Sequence, residues 1–198
     1  MNTNKSNKQN LEIKEGGLTY DDYAAIDDGN RYELAAGQLE LMSPAPTVTH
    51  QLISFEMQTK IAQTCKLDYI ILNAPVDVIL SPKEVRQPDI VLVHRKRLDI
   101  ISKRGVEGTP DLVIEILSPS TLKRDKIVKK KSYAYYGIPE YWVIDPNSAV
   151  LEQYILADDR YELINIFQEN EMVTSPNISC ISFTMAEIIE AIPDSLMF

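Results

Sequence analysis

Pro110-Asp111-Leu112-Val113-Ile114-Glu115-Ile116-Leu117-Ser118-Pro119-Ser120 is the stretch on which the reading of this chain turns. From Leu112 to Leu117 every residue except Glu115 is Leu, Val or Ile, the composition of a strand covered on both faces. Strand alternation sends Leu112, Ile114 and Ile116 to one face and Val113, Glu115 and Leu117 to the other. Glu115 therefore stands where a sheet buries its side chains, at a cost of several kcal/mol unless a cation or strong donors compensate it.

The residues after this strand set the topology. Ser118 or Ser120 can cap a helix that tolerates Pro119 in its first turn and stops at a left-handed Gly137. Tyr141 to Ile144 is then the next strand, after a crossing helix. Upstream, Tyr69 to Leu72, Val76 to Leu80 and Ile90 to Val93 are further short apolar runs that read as strands. His50 to Cys65 repeats Leu52, Ile53, Met57, Ile61 and Ala62 at helical spacing behind a Thr47 or Thr49 cap. Arg31 to Leu34 and Gln38 to Met42 flank Ala36-Gly37 as a hairpin. Val150 to Ile155 and Tyr161 to Phe167 form another, Met185 to Ile189 is a closing helix, and His94 to Gly108 is a short helix or ordered loop with five basic residues. Together these predict an α/β (mixed α+β) fold, a mixed sheet flanked by helices with additional antiparallel hairpins.

The 198 residues, 44% hydrophobic and 25% charged, suit a globular domain, with residues 1–15 a flexible tail and 16–198 a single domain. A formal charge of −9 excludes attachment to nucleic acid by bulk charge. Between residues 121 and 131, however, Lys123, Arg124, Lys126, Lys129, Lys130 and Lys131 face only Asp125, a local excess that suits a polyanion on one side of the molecule. Cys65 and Cys180 lack the spacing of a metal knuckle or redox pair and are expected to be core thiols without a disulfide. No secretory signal and no run of 18 apolar residues occurs, so the expected location is the cytoplasm, with no membrane contact. Neither a dinucleotide fingerprint nor a P-loop is present, which argues against a nucleotide cofactor.

The candidate chemistry lies in carboxylates. Asp89, beside Pro88 at the head of one strand, and Glu115, inside another, can clamp a hard divalent ion if the strands are neighbours, with the Ile116 carbonyl as a third oxygen. The competing reading is a structural pair of Glu115 with a cation. Asp125, Lys129 and Tyr133 fall four apart on one helical stripe. Lys129 is either the surface partner of Asp125 or a charge that reaches the Glu115 strand and steadies a phosphate in transfer. His50 is a capping residue or an active-site donor. Glu33 is a paired surface carboxylate or a further acid facing the metal.

These residues, with Arg31-Tyr32-Glu33-Leu34, Ser43-Pro44, Gln87-Pro88-Asp89 and Gly137-Ile138-Pro139-Glu140-Tyr141-Trp142-Val143-Ile144-Asp145-Pro146, resemble the Uma family of restriction-endonuclease-like proteins in the PD-(D/E)XK nuclease superfamily. The resemblance spans residues 18 to 190. It implies a restriction-endonuclease-like domain, Asp89 and Glu115 as metal ligands, and Glu33, His50 and Lys129 as further site residues. The superfamily pattern expects Lys two positions after the acid, where this chain has Leu117; the family's helix-borne lysine matches Lys129. The resulting expectation is a Mg²⁺-dependent deoxyribonuclease, with Mn²⁺ as a substitute ion and a homodimer formed through the hairpins of Val150 to Phe167. The alternative is a non-catalytic nucleic-acid- or protein-binding regulator on the same fold.

Overall fold

The computed structural model describes residues 17–43, 45–118 and 122–196; the expected tail and the Ser120 cap lie outside them. In α1 (Tyr20–Ala24) the Asp22 carboxylate accepts from the N–H and the hydroxyl of Thr19, the capping residue. β1 (Tyr32–Ala35) and β2 (Gln38–Leu41) form the first hairpin. Its two-residue turn holds Ala36 and Gly37 at φ of 48° and 79°, the left-handed pair that matches strand twist. A Cβ on Gly37 would press on the backbone of Gly17 and Leu18, so glycine satisfies both the turn and the close approach.

α2 (Val48–Cys65) starts where the Thr47 hydroxyl accepts the N–H of His50. It buries Ile53, Met57, Ile61 and Cys65 along one stripe. Five more strands lie between α2 and the decisive one: β3 (Tyr69–Asn73), β4 (Val78–Ser81), β5 (Glu84–Arg86), β6 (Ile90–His94) and β7 (Val106–Glu107). β8 (Leu112–Ile116) is buried at every residue. Beyond it a π-helical turn, Arg124–Lys129, runs into α3 (Lys130–Tyr135), and Gly137 closes the helix at φ 77°. β9 (Glu140–Asp145), β10 (Val150–Ala157), β11 (Arg160–Gln168), β12 (Met172–Val173), β13 (Phe183–Thr184) and α4 (Met185–Ile189) complete the order.

The central sheet runs β11-β10-β9-β8-β6-β3, and within it β8 and β9 are the parallel pair joined by the crossing helix. A second sheet, β2-β1-β5-β4-β7, carries the first hairpin. The mixed sheet with flanking helices and extra hairpins is thus the fold of the chain. β5 and β7 were not expected, because their charged ends, Glu84, Arg86 and Glu107, hide them among turn residues. Between β6 and β8 the chain makes a 3-10 turn at Arg95–Ile100 before β7, with His94 Nδ1 accepting the N–H of Lys96.

The two faces of the central sheet bury different things. Ile90, Leu92, Ile114, Trp142 and Ile144 pack against α2 and α4. Val91, Val113, Val143 and Tyr141 pack against Tyr133 and Ala134 of α3 and against Val78 and Val106 of the second sheet. Glu115 alternates onto this second face, under α3.

One expectation is corrected outright. Cys65 and Cys180 are disulfide-bonded, with Cα atoms 5.2 Å apart. Cys65 is a core residue as expected, but the C-terminal segment that covers α2 brings Cys180 onto its last turn. Residues 115 positions apart leave no local trace of such an approach. Among the described residues no helix is long and apolar enough to cross a membrane.

Candidate active site

β6 and β8 pair antiparallel with Ile90 opposite Ile114, and one step further along that register sets Asp89 opposite Glu115. Opposed residues in such a pair point to one face, so the two acids expected from separate strands do meet. Asp89 Oδ2 accepts the N–H of Ile116 at 2.7 Å. That bond ties the acid of one strand to the carbonyl-bearing residue of the other.

Above Glu115 the crossing helix lowers Lys129, whose Nζ lies 2.8 Å from Glu115 Oε1, 3.2 Å from Glu33 Oε1 and 3.5 Å from Asp125 Oδ1. The Tyr133 hydroxyl donates to the same Glu115 oxygen at 2.7 Å. Lys129, Asp125 and Glu115 are all buried, so the surface Asp125–Lys129 pair is ruled out. Burial works against the Lys129 ammonium, but Glu115, Glu33 and Asp125 outweigh it and hold the group above the ordinary lysine range. Burial also pushes the Glu115 carboxyl well above its ordinary value; the pull of Lys129 is opposed by Asp125, Asp89 and Glu33. Several carboxylates share one ammonium, and that excess of negative charge is what a divalent ion would relieve.

Glu33 sits one layer behind. It is fully buried, and it accepts the N–H of Gln87 at 2.9 Å and Arg86 at 3.3 Å besides Lys129. Burial raises its pKa, but Lys129 and Arg86 prevail and keep the carboxyl below its usual range. Arg86 itself, 2% exposed, also forks onto Glu84 at 2.7 Å and reaches Glu40 at 3.1 Å. Glu33 is therefore neither a surface carboxylate nor part of the cleft lining. It contacts the site through Lys129.

His50, in the first turn of α2, directs Nε2 at the Ile116 carbonyl, 3.0 Å away, and at Asp89 Oδ2, 3.2 Å away. Both partners accept, so Nε2 carries the proton. Burial disfavours the charged ring, but the hydrogen bond and charge of Asp89 outweigh it and raise the His50 pKa. Its other nitrogen, Nδ1, is buried without a hydrogen-bond partner among the described residues.

Asp89, Glu115, Ile116, Asp125, His50 and Lys129 all line one cleft of about 610 Å³. Among the described residues no group of three or more His, Cys, Asp or Glu side chains could cage a metal. Two carboxylates and a main-chain carbonyl are nevertheless a fitting donor set for Mg²⁺. That ion keeps several waters and binds through one or two carboxylates together with substrate oxygens. A carbonyl has two lone pairs, so the bond from His50 leaves Ile116 able to serve.

Residues 19–186 match the sequence profile of the family Uma2, described as "Putative restriction endonuclease". The chain belongs to the Uma2 family. With it comes the PD-(D/E)XK superfamily, in which this chain has buried Leu117 at the usual lysine position and an ammonium supplied from the helix instead. The Uma2 fold recurs in a crystal structure described as "a putative nuclease belonging to DUF820" from Anabaena variabilis. That structure matches at a TM-score of 0.72 with 19% identity, covering 88% of this chain and 98% of its own. No curated protein sequence matches the chain.

Three site residues have no role of their own in the sequence reading of this Uma2 member, where Arg31 stands only in the family pattern, Arg124 only in the basic run, and Arg86 nowhere. Arg86 lies in a three-residue strand whose Glu-Val-Arg pattern looks like a solvated edge. Arg31 and Arg124 line the cleft, yet singly they resemble any surface arginine. The run from Lys123 to Lys131 is not a uniform basic face: Lys126 pairs with Glu152 at 2.7 Å, and Lys130 lies 3.6 Å over the Tyr154 ring.

Proposed function

We propose that the cleft hydrolyses phosphodiester bonds, in DNA, with a divalent ion. The observation that carries this reading is the convergence of Asp89, Glu115, the Ile116 carbonyl and the Lys129 ammonium in one recess. Asp89, Glu115 and the Ile116 carbonyl would hold Mg²⁺, or Mn²⁺ in its place, and the bound ion offsets charge building on the phosphate and the leaving oxygen. Lys129 Nζ, with two donors facing Glu115 and Glu33, would turn its remaining donor to the attacking water, and its charge would steady the phosphate in transfer. Tyr133 fixes Glu115 by occupying one of its oxygens, and His50 Nε2–H fixes Asp89 and the Ile116 carbonyl. Glu33 and Arg86 hold Lys129 from behind. Water adds to phosphorus as the ester P–O bond breaks, leaving a phosphomonoester and a hydroxyl.

The test is cleavage of varied DNA with Mg²⁺ or Mn²⁺. Activity that vanishes in Glu115→Ala, together with Mn²⁺ binding heat that vanishes in Asp89→Ala, supports the reading. No cleavage above the Glu115→Ala background overturns it, and metal-independent DNA or protein binding would then favour a regulatory protein on this fold.

The same reading covers the rest of the molecule. Residues 16–198 act as one domain located in the cytoplasm. Two copies pair through β11, an edge strand on which Leu163, Ile164 and Ile166 are exposed, because an unpaired apolar edge is a template for another chain. Light scattering should give a dimer mass at micromolar protein, and a monomer after Ile164→Lys. A wild-type monomer throughout that range rejects the pairing.

A further inference from the structure

Two arginines of the cleft are unlike its other cations. Lys129 and His50 are committed to carboxylates. Arg31 and Arg124 also line the cleft, but each is held by a neutral acceptor: Arg31 Nη2 donates to Gln87 Oε1 at 2.7 Å, and Arg124 Nη2 to the Leu41 carbonyl at 3.1 Å. Neither forms an ion pair with a described residue, so each guanidinium keeps its full charge and its remaining donors for a ligand.

Both converge on the open end of the β1–β2 hairpin. The Met42 N–H bonds the Arg31 carbonyl at 2.9 Å, and Arg124 reaches the neighbouring residue, Leu41, from the π-helical turn. Gln87 is itself oriented, since its amide nitrogen donates to Asp77 at 2.8 Å and to the Tyr23 hydroxyl at 3.0 Å. Its oxygen is thereby turned toward Arg31. These contacts fix two cationic forks beside a recess whose floor is carboxylate.

We infer that Arg31 and Arg124 form a phosphate site at the rim of the cleft, which takes the phosphate next to the scissile one in a nucleic-acid strand. The inference rests on the reading of the cleft as a phosphodiester site. Planar guanidinium forks suit phosphate oxygens. Grip on a phosphate that does not react lets a strand be held and aligned while Lys129 and the two acids address its neighbour. In a chain of net charge −9, such local cations are what allows a polyanion to approach this side.

The experiment measures binding of a short fluorescein-labelled single-stranded oligodeoxynucleotide by anisotropy, in EDTA, across a salt series. Arg31→Ala and Arg124→Ala should each weaken binding by about tenfold or more, the scale of one charge-assisted hydrogen bond. Each should also reduce the salt slope by about 0.7, as for one lost phosphate contact to a single strand. Lys131→Ala removes the same charge from the same helical run outside the cleft and should leave both quantities unchanged. Circular dichroism melts check that all three variants fold, and Arg124→Lys should restore part of the affinity.

Wild-type affinity in both arginine variants overturns the inference, as does equal loss in Lys131→Ala, which would mean a diffuse basic patch. A wild-type protein that leaves the oligonucleotide unbound at low salt overturns it too. The hydrolytic reading fails separately: a protein that never cleaves DNA, yet loses the oligonucleotide in both arginine variants, keeps this site and loses that activity.

Discussion

Lys129 brings a single ammonium into a buried space shared by Glu115, Glu33 and Asp125, so its removal strands charge instead of merely losing a bond. Lys129→Ala should destabilise the fold by about 3–5 kcal/mol, the range for breaking a buried pair, read as a lower urea midpoint. A change below about 0.5 kcal/mol would mean an exposed pair instead. Arg86→Met should cost a similar amount, because it leaves Glu33 and Glu84 without their guanidinium. Part of this was legible in the chain. A glutamate inside a run of Leu, Val and Ile announces an unusual environment, and Asp125, Lys129 and Tyr133 share a helical stripe. Arg86 was illegible because its partners Glu33 and Glu40 come from a hairpin more than 40 positions away, which no local pattern encodes.

At the scale of elements, the helix that delivers Lys129 is not α-helical where it matters. From Arg124 to Lys129 it is π-helical, and the N–H of Lys130 bonds the carbonyl of Asp125, one residue further back than in an α-helix. The Tyr141 hydroxyl donates to that same carbonyl at 3.1 Å, which gives the widened turn an anchor on β9. Val128 is partly exposed on it. Deleting Val128 should restore α-helical pairing and rotate Asp125 about 100° relative to Lys129. The variant should lose metal-dependent cleavage and melt earlier than Val128→Ala; unchanged cleavage would show that the wide turn is dispensable. The fourfold spacing made the helix and its buried stripe readable, but the extra residue in the turn is set by contacts with Glu115 and Tyr141. β5 was missed for the related reason that a short strand in a second layer carries charged residues inward, and β7 because two residues, one of them an exposed glutamate, make no pattern.

At the scale of the whole molecule, the C-terminal segment closes over α2 and is joined to it by Cys65–Cys180. In the chain-entropy account a closed loop of this length contributes about 4–5 kcal/mol. Urea unfolding of the oxidised protein should therefore have a higher midpoint than that of Cys65→Ser/Cys180→Ser. Reductant should lower the first and leave the second alone; identical midpoints would deny the bond any stabilising role. The central sheet and its helices could be read from the chain because hydrophobic period is local, whereas this closure depends on two residues that only the finished fold brings together. It also makes most of the chain a covalent ring. Lys103 and Arg104 are exposed between Cys65 and Cys180, so a protease that clips after either would leave two fragments still bound as one species. On a gel the nicked protein would run as a single band until a thiol is added, and only then fall into two.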